Sequence, residues 1–112
     1  MTYGNGKLRV GLWPRGIIAV GPVYIDRQGR VRMKFPWWRM VPGRLRITGR
    51  RLDGTAAELH GYVPDGYGPT GFQASEVTFP TEGCWQMTGM VGQASLTFVT
   101  YVIKRHRPSS AA

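Results

Sequence analysis

The sequence has little with which to build a covalent or metal-held framework. Of 112 residues one is Cys and two are His, so no intrachain disulfide can form and a four-cysteine metal site is excluded. Acidic residues are scarce, six Asp and Glu against fifteen Lys and Arg. No apolar run approaches the roughly 20 residues that span a bilayer as a helix. Sustained 3.6-residue periodicity is missing too, and the best helical candidate, Thr55-Ala56-Ala57-Glu58-Leu59, amounts to one turn at most. Nucleophilic catalysis has no constellation to work with. There is no Gly-x-Ser-x-Gly elbow, and His60 and His106 have no obvious carboxylate partner in sequence. The lone Cys84, between Gly83 and Trp85, reads as a small buried hydrophobe rather than an activated thiolate. The expectation is a protein that is not an enzyme, with no metal site and no cofactor.

What the chain does have is positive charge, unevenly placed. The formal net charge is +9, and residues 1–51 hold twelve Lys and Arg against the single acid Asp26. Residues 52–112 hold three cations against five acids. Twelve of the fifteen cations are Arg, whose planar fork suits phosphate and carboxylate. A biased genome composition is the plainer source of the same excess.

Turn chemistry recurs about every ten residues. Trp13-Pro14-Arg15-Gly16, Asp26-Arg27-Gln28-Gly29, Pro42-Gly43, Asp53-Gly54, Pro64-Asp65-Gly66, Thr81-Glu82-Gly83 and Val91-Gly92-Gln93 supply Asp, Pro and Gly where turns need them. Between them the residues alternate with period two, as in Arg30-Val31-Arg32-Met33-Lys34-Phe35 and Arg44-Leu45-Arg46-Ile47-Thr48. Such spacing and alternation define half-buried strands of an all-β sandwich or barrel. The core is expected from Leu8, Val10, Leu12, Val31, Met33, Leu45, Ile47, Leu59, Val63, Phe79, Trp85, Met87, Leu96, Phe98 and Val102. After Phe98 the alternation fails to account for Val99, Tyr101, Val102 and Ile103 together, which predicts a bulge or burial on both faces.

Three motifs bear on binding. Gly66-Tyr67-Gly68-Pro69-Thr70-Gly71 matches Gly-x-Gly-x-x-Gly in form. Pro69 and the absence of a following helix reject a dinucleotide site, leaving an end loop that can expose Tyr67 and Phe72. In Phe35-Pro36-Trp37-Trp38-Arg39, adjacent Trp side chains on a strand point to opposite faces. One is therefore buried, and the other, exposed or half-covered beside Arg39, is free to stack on a ligand or anchor a partner. Its plainer role is to cap an end of the sandwich. Third, Lys7, Arg9, Arg30, Arg32, Lys34, Arg44 and Arg46 occupy outward strand positions. If those strands are neighbours, seven cations line one face, which would attract a phosphate polymer, an anionic wall polymer or an anionic membrane. If not, they are a solvated face.

Residues 3–104 resemble a family of small, mostly exported bacterial proteins. The resemblance rests on Tyr3-Gly4-Asn5, Lys34-Phe35-Pro36-Trp37-Trp38-Arg39, Gly49-Arg50-Arg51-Leu52-Asp53, Gly66-Tyr67-Gly68-Pro69-Thr70-Gly71-Phe72-Gln73 and the hairpin motif Phe79-Pro80-Thr81-Glu82-Gly83-Cys84-Trp85. With Leu96-Thr97-Phe98-Val99, the run Gly83-Cys84-Trp85 is its most specific part. It implies an immunoglobulin-like sandwich in the cell envelope and carries over no catalytic residue. Unlike that family, the chain starts Met1-Thr2-Tyr3-Gly4-Asn5-Gly6-Lys7 with no apolar leader stretch. Its place is extracellular or in the envelope where a leader has been removed, and cytoplasmic otherwise.

Taken together, the expectation is a single immunoglobulin-like antiparallel β-sandwich of about seven to nine strands over residues 1–106, with a disordered tail at 107–112. Its function is that of a non-catalytic, envelope-associated binding module. It would meet an anionic or protein partner through the basic face and through Trp37, Trp38, Arg39, Tyr67 and Phe72. The alternatives are a nucleic-acid-binding domain and a subunit that self-assembles through an edge strand.

Overall fold

A computed structural model describes residues 1–105; His106 and the tail expected at 107–112 lie outside them. The described chain is all-β. Its strands are β1 (Thr2–Gly4), β2 (Leu8–Gly11), β3 (Ile17–Val20), β4 (Val31–Lys34), β5 (Trp37–Arg39), β6 (Leu45–Arg51), β7 (His60–Tyr62), β8 (Gly71–Gln73), β9 (Glu76–Phe79), β10 (Gly83–Val91) and β11 (Ala94–Lys104). Helical geometry is confined to 3-10 turns at Pro14–Gly16 and Pro22–Tyr24, and residues 55–59 form no helical turn.

Three sheets form, with orders β1-β2-β5-β8, β4-β9-β7 and β3-β11-β10-β6. The first two are halves of one wall. β4 pairs with β9 from Val31↔Phe79 to Lys34↔Glu76, and β5 continues the same register on β8 from Trp37↔Gln73 to Arg39↔Gly71. Phe35 N–H donates to Ser75 O (3.1 Å) across the break. Pro36 has no N–H to give to the ladder, and its carbonyl turns instead to Gly11 N–H (2.8 Å). Residues 31–39 and 71–79 are thus two long strands, each interrupted once, and counting each once leaves nine of the eleven. We call this the front wall and the third sheet the back wall. β7 runs beside β6, where Leu59 N–H donates to Gly49 O (3.3 Å), so the walls meet along that side. All strand pairs are antiparallel except β3 on β11, which is parallel.

The back wall is built on the β10–β11 hairpin, whose two-residue loop follows Val91↔Ala94. Gly92 opens it at φ +59°, a left-handed conformation that suits the turn to the strand twist and that a side chain would resist. Along β10 the inward residues Trp85, Met87 and Val91 alternate with half-buried ones. The core between the walls includes Leu8, Val10, Val31, Met33, Phe35, Trp37, Val77 and Phe79 from the front and Ile18, Leu45, Ile47, Trp85, Met87, Leu96, Phe98 and Val102 from the back. Aromatic edges lock it, with Phe79–Trp85 centroids at 5.6 Å and Trp37–Phe98 at 5.9 Å. Trp37 lies over Gly89 of β10, where a Cβ would run into its ring.

Four expectations are corrected. Leu12 and Val63 only flank the core, whereas Ile18, Val20, Phe35, Trp37, Val77 and Val91 join it. The alternation does not fail after Phe98. Val99 and Tyr101 are 48% and 45% exposed while Thr100 and Val102 point inward, and the Thr100 hydroxyl is satisfied by Gly16 O (2.7 Å). Cys84 is half-buried on the outward side of β10, because Gly83 and Trp85 hold the inward positions. The purely antiparallel arrangement is broken by β3.

Candidate functional site

The seven cations do not line one surface. Arg9 on β2, with Lys7 just before it, and Arg32 and Lys34 on β4 face outward from the front wall. Arg46 lies at the start of β6 in the back wall with Arg44 just before that strand, and Arg30 precedes β4. Three of them are paired with acids: Arg30 with Asp26 (2.8 Å), Arg32 with Glu76 (2.7 Å) and Arg44 with Asp65 (2.8 Å). Among the described residues Lys7, Arg9, Lys34 and Arg46 have no such partner. The sequence could not reveal this division, because it follows from which strands become neighbours.

The aromatic set also divides. Trp37 is fully buried, its indole N–H given to Ser75 Oγ (3.0 Å), so it is core and not ligand surface. Trp38, next in the strand, is half-buried on the outer side. In register it lies between Arg9 of β2 and Phe72 of β8. The Trp38 and Phe72 rings meet edge-on at 5.9 Å, and Tyr67 reaches Phe72 at 5.7 Å. An outer row Arg9–Trp38–Phe72–Tyr67 therefore crosses the front wall, with Phe72 and Tyr67 exposed as expected.

Arg39 is removed from the surface altogether, at 3% exposure. A buried guanidinium is costly unless its donors are satisfied. Here they reach the carbonyls of Gly43 (2.9 Å), Tyr67 (3.1 Å), Thr70 (3.3 Å) and Gly71 (3.4 Å). Arg39 thus pins the glycine loop from beneath and holds Tyr67 and Phe72 in place. The loop leads into β8 and not into a helix, so it offers no helix N-terminus to a pyrophosphate.

Two depressions flank β4, and Arg32, Lys34 and Glu76 line both. The larger, about 700 Å³, opens between β3 and β4 against Trp13, Val20 and Tyr24. The smaller, about 460 Å³, is a trough whose floor is β9. Its register rows are Arg32–Thr78–His60 and Lys34–Glu76–Tyr62, and Tyr67 and Pro64 close one end. The sequence reading missed His60, Tyr62, Glu76 and Thr78 as surface partners. The available signal was the alternation Glu76-Val77-Thr78-Phe79, which turns the polar pair outward.

Both acids with displaced titration lie outside this trough. Asp26 is held below the usual carboxylate range chiefly by the backbone N–H of Arg30, with further help from its guanidinium and from Gln28 N–H. Asp53 is lowered first by Cys84 N–H (2.9 Å) and then by the Arg51 side chain (3.0 Å). They tie turns to strand ends.

Compared with protein families, curated proteins and solved structures, the chain matches none.

Proposed function

We propose that the protein is a non-catalytic binding module of the cell envelope, taking an anionic polymer along the outer face of its front wall on an immunoglobulin-like sandwich. The observation that carries the reading is the placement of Lys34 and Arg32 on a ridge between two depressions, both of which they line. Lys34 has no acidic partner among the described residues, so its charge is available to a ligand. The strand ladder directs these side chains outward, and the bond from Arg32 Nη2 to Glu76 Oε1 (2.7 Å) holds the Arg32 guanidinium in place, which lowers the entropy lost on binding there. Farther along the same wall, Arg9 and Lys7 stand beside the row of Trp38, Phe72 and Tyr67, giving an elongated ligand a second point of contact.

Strand order supports the immunoglobulin-like part. With β2 taken as strand A, residues 31–39 as B, 71–79 as E and β7 as D, the front wall runs A-B-E-D with β1 outside A, and β6, β10 and β11 run C-F-G in the back wall with β3 beside the last strand. Trp37 over Gly89 bridges B and F, the strands that antibody domains join by a disulfide. At the corner between E and F, Trp85 Nε1–H donates back to Thr81 O (3.1 Å), as the tyrosine of that corner does in such domains. The envelope location rests on the resemblance of the Gly83-Cys84-Trp85 hairpin to exported proteins.

The test is binding to single- and double-stranded nucleic acid, an anionic polysaccharide and anionic vesicles at two salt concentrations. The expected result is saturable binding to the polysaccharide that survives physiological salt. A preference for nucleic acid would transfer the face to that partner. Uniform weak binding that disappears with salt would mean that the charge has no specific ligand.

A further inference from the structure

The trough over β9 offers more than positive charge. Its floor carries the Glu76 carboxylate and the Thr78 hydroxyl, one side carries Arg32 and Lys34, and the other carries Tyr62. Glu76 Oε1 is held by Arg32 Nη2 at 2.7 Å, which fixes the carboxylate and leaves its second oxygen free to accept. The remaining N–H groups of Arg32 can donate. Tyr62 is 57% exposed, with an apolar ring body and a polar tip. From Ala74 to Thr78 the floor runs about 13 Å at the rise of a strand.

Sugar hydroxyls donate and accept at once, so a site for them must present both kinds of partner side by side. This trough does. Its volume of about 460 Å³ lies within the range of small-ligand sites. A phosphate chain needs no acceptors. Passing along the cations of β4, it would meet the Glu76 carboxylate, set in register between Lys34 and Tyr62, with no hydroxyl donor to offer it. Lys34, without an acidic partner among the described residues, supplies the charge that a carboxylate on the sugar would take. We propose that the trough is a subsite for an acidic sugar residue of an anionic polysaccharide. Glu76 and Thr78 would meet its hydroxyls, Lys34 its carboxylate and Tyr62 its C–H face. The inference rests on the reading of the front wall as an anionic-ligand face.

Calorimetric titration of the whole chain tests it, at physiological salt, with trigalacturonate, the corresponding neutral trisaccharide and a single-stranded oligonucleotide of matched charge. Trigalacturonate should bind about tenfold or more tightly than the neutral sugar, the worth of one charge-assisted hydrogen bond. Glu76→Gln raises the net charge by one unit, yet it should weaken trigalacturonate binding about fivefold through loss of a charged acceptor. Tyr62→Phe should keep the affinity, and Tyr62→Ala should lower it about tenfold. These variants change exposed or half-exposed side chains, so the fold should persist. Tighter binding by Glu76→Gln, or a preference for the oligonucleotide, would overturn the sugar subsite. If Lys34→Gln still weakened binding in that case, the anionic face would stand. No binding of any of these probes or of the longer polyanions would overturn both.

Discussion

The outer side of the β10–β11 hairpin differs from the outer sides of β2, β4 and β6 in a way that composition does not explain. Outward positions on β2 and β4 of the front wall include the cations Arg9, Arg32 and Lys34, set among Trp38, Phe72, Glu76, Thr78 and Tyr62, and β6 of the back wall adds Arg46 and Arg50. On the β10–β11 hairpin the outward positions are Cys84, Gln86, Thr88, Met90, Ser95, Thr97, Val99 and Tyr101, none of them charged. Thr88 and Thr97 face one another across that ladder with hydroxyl oxygens 2.9 Å apart. A genome-wide excess of Arg would mark both faces, since both are solvent-facing sides of half-buried strands. The contrast leaves the hairpin uncharged, and the ligand site proposed on the front wall lies on the charged strands.

Both faces depend on one core, so the largest effect is expected there. Trp37→Ala empties the space over Gly89 and beside Phe98. It should cost about 3–5 kcal/mol, read as a lowered urea midpoint, and should erase the distinction between the faces as the walls loosen together. Arg39→Met is expected to act on the front wall alone. The carbonyls of Gly43, Tyr67, Thr70 and Gly71 would lose their donor, at about 2–3 kcal/mol. Hydrogen exchange should then quicken in residues 66–73 and stay slow in β10 and β11. Equal loosening of both walls would show that Arg39 is not a local pin. Arg39→Lys should not rescue it, because an ammonium cannot span four carbonyls with a planar fork.

The smallest expected effect is acid sensitivity at the turns. Asp26 and Asp53 titrate below their ordinary range in the folded chain. A carboxylate lowered on folding stabilises the fold above its unfolded pKa, and this contribution fades as pH falls through the folded value. The urea midpoint should therefore drop as pH is taken below the usual carboxylate range. Asp53→Asn should remove part of that drop by lowering the midpoint at neutral pH, with little change below the carboxylate range, where Asp53 is protonated. A slope unchanged by the substitution would show that the Cys84 N–H contact has no energetic role.

Much of the architecture was legible because its causes are local. Alternation in residues 30–35 and 44–48 gave the correct inward set, and turn residues gave the strand breaks. Pro36, which has no N–H for the ladder, marks the break between β4 and β5. The parallel edge strand was not legible, because Ile17-Ile18-Ala19-Val20 is continuously apolar and shows no period. Nor was the burial of Arg39. Its partners are backbone carbonyls from Gly43 and from a loop some thirty residues away, and no side-chain pattern records a carbonyl. For Val99 and Tyr101, apolar character misled the reading, since an exposed β-branched or aromatic residue on a strand is ordinary. At the candidate site the cations and Tyr67 and Phe72 could be named from sequence. Their separation into paired and unpaired, and the meeting of Glu76 with Tyr62 across β9 and β7, needed the tertiary pairing.

The central claim is that ligand affinity depends on the place of a charge and not on the total. Lys34→Gln on the front wall and Thr97→Glu on the hairpin lower the net charge by the same single unit. Their affinities for the anionic polysaccharide should be measured side by side at physiological salt. Lys34→Gln should lose about tenfold, the worth of a charge-assisted contact, while Thr97→Glu should stay within about twofold of the unaltered chain, a screened and distant charge. Equal losses from the two substitutions would contradict the account and reduce the basic face to bulk charge.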